Sequence, residues 1–151
     1  MLTHPHACTL RKGRHSEPDR IYLITTVTRQ RYPWFSDWRF GRIVAQTLYR
    51  ENANAKTLAY VVMPDHFHWL VKLRDGDYLS AVMRTVKAVS SRRINMLQDE
   101  PQPIWQHGYH DHALRKEDDQ LKMARYLVAN PLRAGLVKRL GDYPLWDAAW
   151  I

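Results

Sequence analysis

The sequence contains a single cysteine and has no long apolar run. Cys8 lies in a polar amino-terminal stretch without a second cysteine to pair with, which excludes an intramolecular disulfide and a cysteine-based zinc site. The first twenty residues hold no apolar segment of the length that secretion signals have, and no window approaches the roughly 20 apolar residues that span a bilayer. These absences predict a cytoplasmic protein with no membrane partner.

Acidic residues are also scarce, since 15 Asp and Glu stand against 23 Lys and Arg, giving a net charge of +8. Residues 1–50 hold nine basic and three acidic residues, and residues 84–93 hold four basic and no acidic ones. This charge predicts a polyanionic partner, with nucleic acid as the first candidate and a merely solvated surface as the alternative. The expected phosphate contacts in the second segment are Arg84, Lys87, Arg92 and Arg93.

The length of 151 residues and the 45% hydrophobic content predict one domain with its own core. Residues 1–19 are polar, contain two prolines and show no periodicity, so they are predicted to form a flexible arm. Arg11, Lys12 and Arg14 in this arm are further candidate DNA contacts. Residues 20–151 are predicted to form the single folded domain.

Hydrophobic periodicity predicts an alternation of strands and helices along this domain. Pro64-Asp65 predicts a tight connection between two antiparallel strands. The expected order is strand 21–28, helix 39–53, strands 57–63 and 66–73, helix 78–97, an extended piece at 109–115 and a helix from 117. This order predicts an α+β fold: a ferredoxin-like antiparallel sheet with helices packed on one face and an additional carboxyl-terminal helix. The opposite face would then be free for a ligand.

His66 and His68 stand two residues apart in an apolar, strand-like run. On a strand this spacing puts both imidazoles on one face, where their nitrogens could bind one metal ion. Half-buried histidines with ordinary hydrogen-bond partners are the alternative. His110 and His112 form a rival pair, but no helical partner is evident for them, and His107 and His112 fit DNA contacts or the rim of the site better.

The last helix, which contains residues 122–137, carries an amine, a phenol and an amide at intervals of four, in Lys122, Tyr126 and Asn130. Such residues lie on one stripe of a helix, where the phenol could be a nucleophile and the amide oxygen a metal ligand. Tyr126 as an amphipathic surface residue is the alternative. Because Asn130 precedes Pro131, the helix could also end there with Asn130 as its cap.

The motif VMPDHFHWL (residues 62–70), followed by YLVANPLRAGLV (residues 126–137), resembles the single-tyrosine HUH transposases. The segments IWQ (residues 104–106) and DYPLW (residues 142–146) narrow the resemblance to the REP-associated tyrosine transposases. The similarity extends from about residue 20 to residue 147. It implies a ferredoxin-like domain that binds single-stranded or hairpin DNA and cleaves and rejoins it.

The resemblance also implies roles for individual residues. His66, His68 and Asn130 would hold a divalent ion, Mg²⁺ or Mn²⁺, and Tyr126 would attack phosphorus to form a 5′-phosphotyrosyl enzyme. Lys122 is not part of the resemblance; its position one turn before Tyr126 makes it a candidate for helping the phenol to lose its proton during the attack. Arg133 is a further candidate for DNA contact. The resemblance implies no small-molecule substrate, and it leaves monomer and homodimer open.

Two other functions remain open from the sequence alone. One is a regulator that binds structured DNA or RNA without using the tyrosine, and the other is a metal-dependent phosphodiesterase that uses water as its nucleophile.

Overall fold

The computed structural model describes residues 20–50, 55–74, 78–115 and 117–149. These residues form a five-stranded antiparallel sheet and the helices that pack on it. The strands are β1 (Ile21–Val27), β2 (Ala55–Met63), β3 (His66–Leu73), β4 (His110–Ala113) and β5 (Trp146–Ala148), in the spatial order β4-β1-β3-β2-β5. The α-helices are α1 (Trp38–Arg50), α2 (Leu79–Asn95), α3 (Glu117–Val128) and α4 (Asn130–Arg133). The predicted α+β class is confirmed. The predicted arm, with Arg11, Lys12 and Arg14, lies outside the described residues.

The central strand β3 presents different chemistry on its two faces. Phe67 and Trp69 are fully buried, whereas His66 and His68 between and beside them are only partly buried. The register sets Thr25 of β1 and Val61 of β2 on either side of His68, so these three side chains share one face. We call this the histidine face and the opposite one the Phe67 face.

Helices α1 and α2 cover the Phe67 face. Trp69 Nε1 donates to Thr57 Oγ1 at 3.0 Å, and that hydroxyl donates to the carbonyl of Leu48 in α1 at 2.7 Å. The Trp105 ring lies 5.4 Å from the Phe67 ring, and its Nε1 donates to Ser90 Oγ in α2 at 3.0 Å. The buried indoles therefore connect the sheet to both helices and satisfy their own polar atoms.

The helix that bears Tyr126 covers part of the histidine face, which is therefore not wholly free for a ligand as expected. α3 packs against β2 and β5. Val61 and Val62 point to opposite faces of β2 and are both fully buried. A strand that is apolar on both faces needs cover on both, which α3 provides on this side. The histidine face is open at the edge strand β4, where His110 and His112 are exposed, and it is partly accessible at His66, His68 and Thr25.

The last helix of the sequence is interrupted. α3 ends at Val128, and α4 begins at Asn130 with Pro131 in its first turn. Pro131 has no N–H to donate to the carbonyl of Leu127 four residues earlier, so the hydrogen-bond ladder of α3 cannot continue through it, which explains the break. Asn130 is therefore the first residue of a short helix and not the cap of α3.

The segment after α4 closes the sheet. Tyr143 is buried, and its hydroxyl donates to the carbonyl of Val62, while the Val62 N–H donates to the carbonyl of Leu145 at 2.8 Å. Burial raises the pKa of Tyr143 to about 12, so this phenol stays protonated and serves as a structural donor. The DYPLW segment thus fixes β5 beside β2. Within the described ranges no helix is both long enough and apolar enough to cross a bilayer.

Candidate active site on the histidine face

The rings of His66 and His68 lie side by side, with centroids 4.9 Å apart and planes at 78°. The Nδ1 atom of each ring already has a partner. His66 Nδ1 lies 2.7 Å from Asp65 Oδ1, and His68 Nδ1 lies 2.9 Å from Thr25 Oγ1. With Nδ1 occupied in this way, Nε2 of each ring is left as the ligand atom, which is how histidines that bind metals are usually oriented.

His68 is held in its neutral form. Burial lowers the pKa of His68 to about 4, and the charges of His66 and Arg133 act in the same direction. A metal ligand must present a lone pair and not a proton, so a neutral imidazole is the form that a metal site requires.

Asp65 connects His66 to a distant arginine. Its second carboxylate oxygen, Oδ2, accepts a hydrogen bond from Arg31 Nε at 3.0 Å. Burial opposes ionisation of Asp65, but the hydrogen bond and charge of His66, together with Arg31, leave its pKa lowered. The carboxylate can therefore accept the His66 Nδ1 proton and orient the ring. Asp65, Arg31 and Thr25 were not predicted as site residues, and the one signal for them in the sequence is the acid directly before the histidine pair.

Arg133 joins the tyrosine helix to the histidines. Its guanidinium carbon lies 3.7 Å from the centroid of the Tyr126 ring, within the range of a cation–π interaction, and its charge also acts on His68. Tyr126 itself is 64% exposed. The structure therefore brings Tyr126, Arg133 and His68 into one neighbourhood, with the phenol accessible to a large substrate.

The other two residues proposed from the helix stripe lie close by in the chain. Lys122 is exposed one turn before Tyr126 on α3, and Asn130 is partly buried at the start of α4. In the part of the chain that the structure describes, no cluster of three or more His, Cys, Asp or Glu side chains could hold a metal ion. A third ligand would thus come from an amide such as Asn130 or from the substrate.

The rival histidine pair lies on the same face as His68. His110 on β4 is paired with Thr25, which is paired in turn with His68, so the three side chains form a row across the sheet. His112, two residues further along β4, is paired with Leu23, and both histidines are exposed at the sheet edge. They therefore border the open part of the histidine face.

The basic residues of α2 lie on the opposite side of the sheet, because α2 packs on the Phe67 face. Lys87 Nζ donates to the carbonyls of Gln106 and Gly108, and Arg93 Nη2 donates to Gln46 Oε1 at 2.8 Å. Arg84 and Arg92 are exposed. The structure does not bring these four residues to the histidines, and it engages two of them in contacts within the protein.

Three tryptophans, Trp34, Trp69 and Trp105, differ in whether their rings could stack on an unpaired base. Trp69 is fully buried, and Trp105 packs against Phe35 and Phe67. Trp34 is partly exposed, with its ring centroid 4.6 Å from that of Tyr32. Only Trp34 of the three stands beside an exposed aromatic ring at the surface.

An antiparallel ferredoxin-like sheet with two imidazoles on its central strand and a nearby helix-borne tyrosine defines an HUH-type protein with one tyrosine. Residues 18–130, well over half of the chain, match the family described as "Transposase IS200 like". The chain belongs to this family of transposases, and the family relationship predicted from the two motifs is confirmed.

Two curated proteins are similar in sequence. A REP-associated tyrosine transposase of Escherichia coli (strain K12) is 31% identical over 87 residues, which is 57% of this chain and 50% of that protein. A protein of Haemophilus influenzae (strain ATCC 51907 / DSM 11121 / KW20 / Rd), provisionally named a REP-associated tyrosine transposase, is 26% identical over 137 residues, or 82% of this chain and 77% of that protein. The match to the E. coli protein thus spans half of its length.

Two solved structures share the fold. A REP-associated tyrosine transposase bound to a REP hairpin superposes with a TM-score of 0.71 at 24% identity, over 88% of this chain and 79% of that chain. A provisionally named transposase of Deinococcus radiodurans R1 superposes with a TM-score of 0.53 at 18% identity, over 76% of this chain and 92% of that chain.

Proposed function

We propose that this protein is a metal-dependent endonuclease and strand transferase that acts on single-stranded, hairpin-bearing DNA through a 5′-phosphotyrosine intermediate. The observation that carries the proposal is the position of Arg133. Its guanidinium lies against the Tyr126 ring while its charge acts on His68, which supports a site shared by Tyr126 as the proposed nucleophile and His68 as a proposed metal ligand.

Three observations support the proposed substrate class: the net charge of the chain, the exposure of Tyr126 and the DNA bound in the structure of a similar transposase. The chain carries a net charge of +8, and Tyr126 is exposed, so an extended polyanion could reach its hydroxyl. The structure of a similar transposase contains a bound REP hairpin. A hairpin with an unpaired flank is therefore the substrate that we propose for this chain.

The donor atoms on the histidine face fit a divalent ion. His66 and His68 would hold it through Nε2, with Asn130 as a third ligand, and the low pKa of His68 keeps that ring in the ligand form. Mg²⁺ or Mn²⁺ is the ion that the family resemblance favours, although two imidazoles would also suit zinc. A bound ion would draw charge from the scissile phosphate as a Lewis acid.

The covalent step is an exchange of one phosphoester bond for another. The Tyr126 oxygen attacks phosphorus and forms the tyrosyl–phosphate bond, while the bond from phosphorus to the 3′ oxygen breaks. The phenol proton leaves to water while the Lys122 ammonium stabilises the negative charge that develops on the Tyr126 oxygen, and the departing 3′ oxygen takes up a proton. Arg133, already beside the phenol, neutralises charge on the phosphate oxygens.

Because the phosphotyrosyl bond retains the energy of the bond it replaces, the reverse reaction can join a strand. The 3′-hydroxyl of a second DNA end would attack the same phosphorus and release Tyr126. This is strand transfer without ATP, and it separates the proposed activity from hydrolysis.

A hairpin oligonucleotide with a labelled unpaired flank tests the proposal. Incubation with the protein and Mg²⁺ or Mn²⁺ should give a covalent adduct on a denaturing gel. Tyr126→Phe should bind the same DNA with unchanged affinity and give no adduct, because the attacking oxygen is gone. Tyr49→Phe, which alters another highly exposed tyrosine, is the matched control and should react normally.

Three results would contradict the proposal. The first would identify a different nucleophile, and the other two would indicate a different function. An adduct with Tyr126→Phe would show that another residue is the nucleophile. Free cleaved ends with no adduct at any time would indicate a water-using phosphodiesterase. Tight binding without cleavage, across metals and flanks, would indicate a regulator that binds structured DNA.

A further inference from the structure

A recess lies between the turn that follows β1 and the segment that follows α2. It encloses about 510 Å³. Its lining consists of two aromatic rings, three amides, one guanidinium and one proline, from Tyr32, Trp34, Gln30, Gln98, Gln102, Arg29 and Pro103. The proposed mechanism uses none of these seven residues.

This lining has the chemistry that recognises a nucleobase. The Tyr32 side chain is 57% exposed, and its ring adjoins that of Trp34 at 4.6 Å, tilted by 56°, so an aromatic surface is open for stacking. Side-chain amides both donate and accept, as the edges of bases do. Within the described residues the amide groups of Gln30 and Gln102 have no hydrogen-bond partner, so both can serve a ligand.

The turn that forms one wall is held in an uncommon backbone conformation. Gln30 and Arg31 have φ of 56° and 54°, in the left-handed region that residues other than glycine seldom adopt. Hydrogen bonds from Thr28 maintain the turn: its carbonyl accepts from the Arg31 N–H at 3.1 Å, and its hydroxyl donates to the Tyr32 carbonyl at 2.8 Å. Backbone strain maintained by such contacts is typical of functional loops.

The same turn connects the recess to the proposed active site. Arg31 pairs with Asp65, which binds the His66 ring. Val27, two residues before Arg29, is the register partner of His66. A DNA strand whose phosphate lies at Tyr126 and the histidines would thus pass close to the recess, and a base turned out of that strand could enter it.

We propose that this recess binds one unpaired nucleobase from the single-stranded flank of the DNA and thereby determines which phosphate reaches Tyr126. The inference rests on the proposed function for its ligand. Stacking on Tyr32 and Trp34 would supply affinity, while the glutamine amides and Arg29 would read the edge of the base.

The test is a scan with abasic sites, read by fluorescence anisotropy. Full-length Tyr126→Phe protein is titrated with hairpin oligonucleotides in which one base of the unpaired flank at a time is removed. One position should weaken binding by about 10-fold, which is the size of a single base–aromatic stack. Adding Tyr32→Ala should weaken binding of the intact oligonucleotide by a similar factor and abolish the effect of base removal at that position.

Two further variants control for structure. Tyr32→Phe keeps the ring and should retain the dependence on that base, whereas Tyr49→Ala removes a tyrosine of similar exposure elsewhere and should change nothing. If Tyr32→Ala binds the intact oligonucleotide as tightly as its parent, or weakens intact and abasic oligonucleotides equally, the recess does not hold a base. Adduct formation by the protein with Tyr126 intact tests the proposed function separately. If the effect of Tyr32→Ala depends on the base but no adduct forms, base binding in the recess is supported and the proposed enzymatic activity is contradicted.

Discussion

The two faces of the sheet are built from the same strands and differ in what their polar atoms are left to do. On the Phe67 face, the indoles of Trp69 and Trp105 each find a hydroxyl within the protein, and Phe67 is fully buried. On the histidine face, each imidazole has one nitrogen fixed by a neighbour and one nitrogen left over. The period of two along β3 thus lets one strand serve stability on one side and chemistry on the other.

The positive charges divide in the same way. Lys87 and Arg93, on the Phe67 side, are bound to oxygen atoms of the protein itself. Arg31 and Arg133, on the histidine side, contact the residues proposed to carry the chemistry. A high density of basic residues in the sequence therefore does not tell which cations lie beside the proposed active site. The contacts that each cation makes in the fold do.

The largest difference between the two faces is expected from alanine substitutions at the adjacent residues His66 and Phe67 of β3. Phe67→Ala should lower the free energy of unfolding by about 3–5 kcal/mol, because it opens a cavity against Trp105. His66→Ala should change that free energy by less than about 1 kcal/mol. It should instead reduce metal-dependent adduct formation by at least about 100-fold, since even outer partners of metal ligands are worth about 10- to 100-fold.

Urea denaturation and the adduct assay measure the two quantities. The comparison between the faces breaks down if Phe67→Ala is as stable as the parent protein, or if His66→Ala still forms the adduct at the normal rate.

Much of the fold could be predicted because the relevant signals are local. Alternation in residues 66–73 predicted the bounds of β3, and Pro64-Asp65 predicted the turn before it. The predicted starts of α1 and α2, at residues 39 and 78, lie within one residue of the observed Trp38 and Leu79. The histidine pair and the stripe of Lys122 and Tyr126 are likewise local patterns, visible from spacing alone.

What could not be predicted depends on contacts between residues distant in the chain. Arg31 meets Asp65 across 34 residues, and Thr25 meets His68 across 43. Helical periodicity predicts the buried stripe of α2, but it does not tell which face of the sheet the helix covers. For this reason the sequence did not reveal that Arg84 and Arg92, which are predicted to contact DNA phosphates, lie across the sheet from the histidine pair.

Acidification should destabilise the protein through the histidine face. The pKa of His68 is about 4 in the folded protein against an ordinary value of 6.5, so the folded state resists protonation that the unfolded state accepts. The associated stability is fully present above pH 6.5 and is lost as the pH falls towards 4. Between pH 7 and pH 4.5 the loss should be about 2 kcal/mol.

His68→Gln isolates this contribution, because glutamine does not titrate and can still meet Thr25. Urea denaturation in a chelating buffer should show a smaller loss for the variant than for the parent protein over the same pH range. Equal losses in the two proteins would show that His68 is not the group responsible.

The smallest expected effect tests how Asp65 supports the histidine face. Asp65→Asn keeps the size of the side chain but removes the charge that holds the His66 Nδ1 proton and Arg31. The concentration of Mn²⁺ that gives half-maximal adduct formation should rise by about 10-fold, because the ring is less firmly oriented. Stability should change by less than about 1 kcal/mol, since Arg31 is 61% exposed.

Asp142→Asn, which breaks the exposed pair with Arg139, is the matched control and should leave the Mn²⁺ dependence unchanged. If Asp65→Asn behaves like that control, the carboxylate beside His66 is a surface ion pair only, and the difference between the two faces rests on the imidazoles and Arg133.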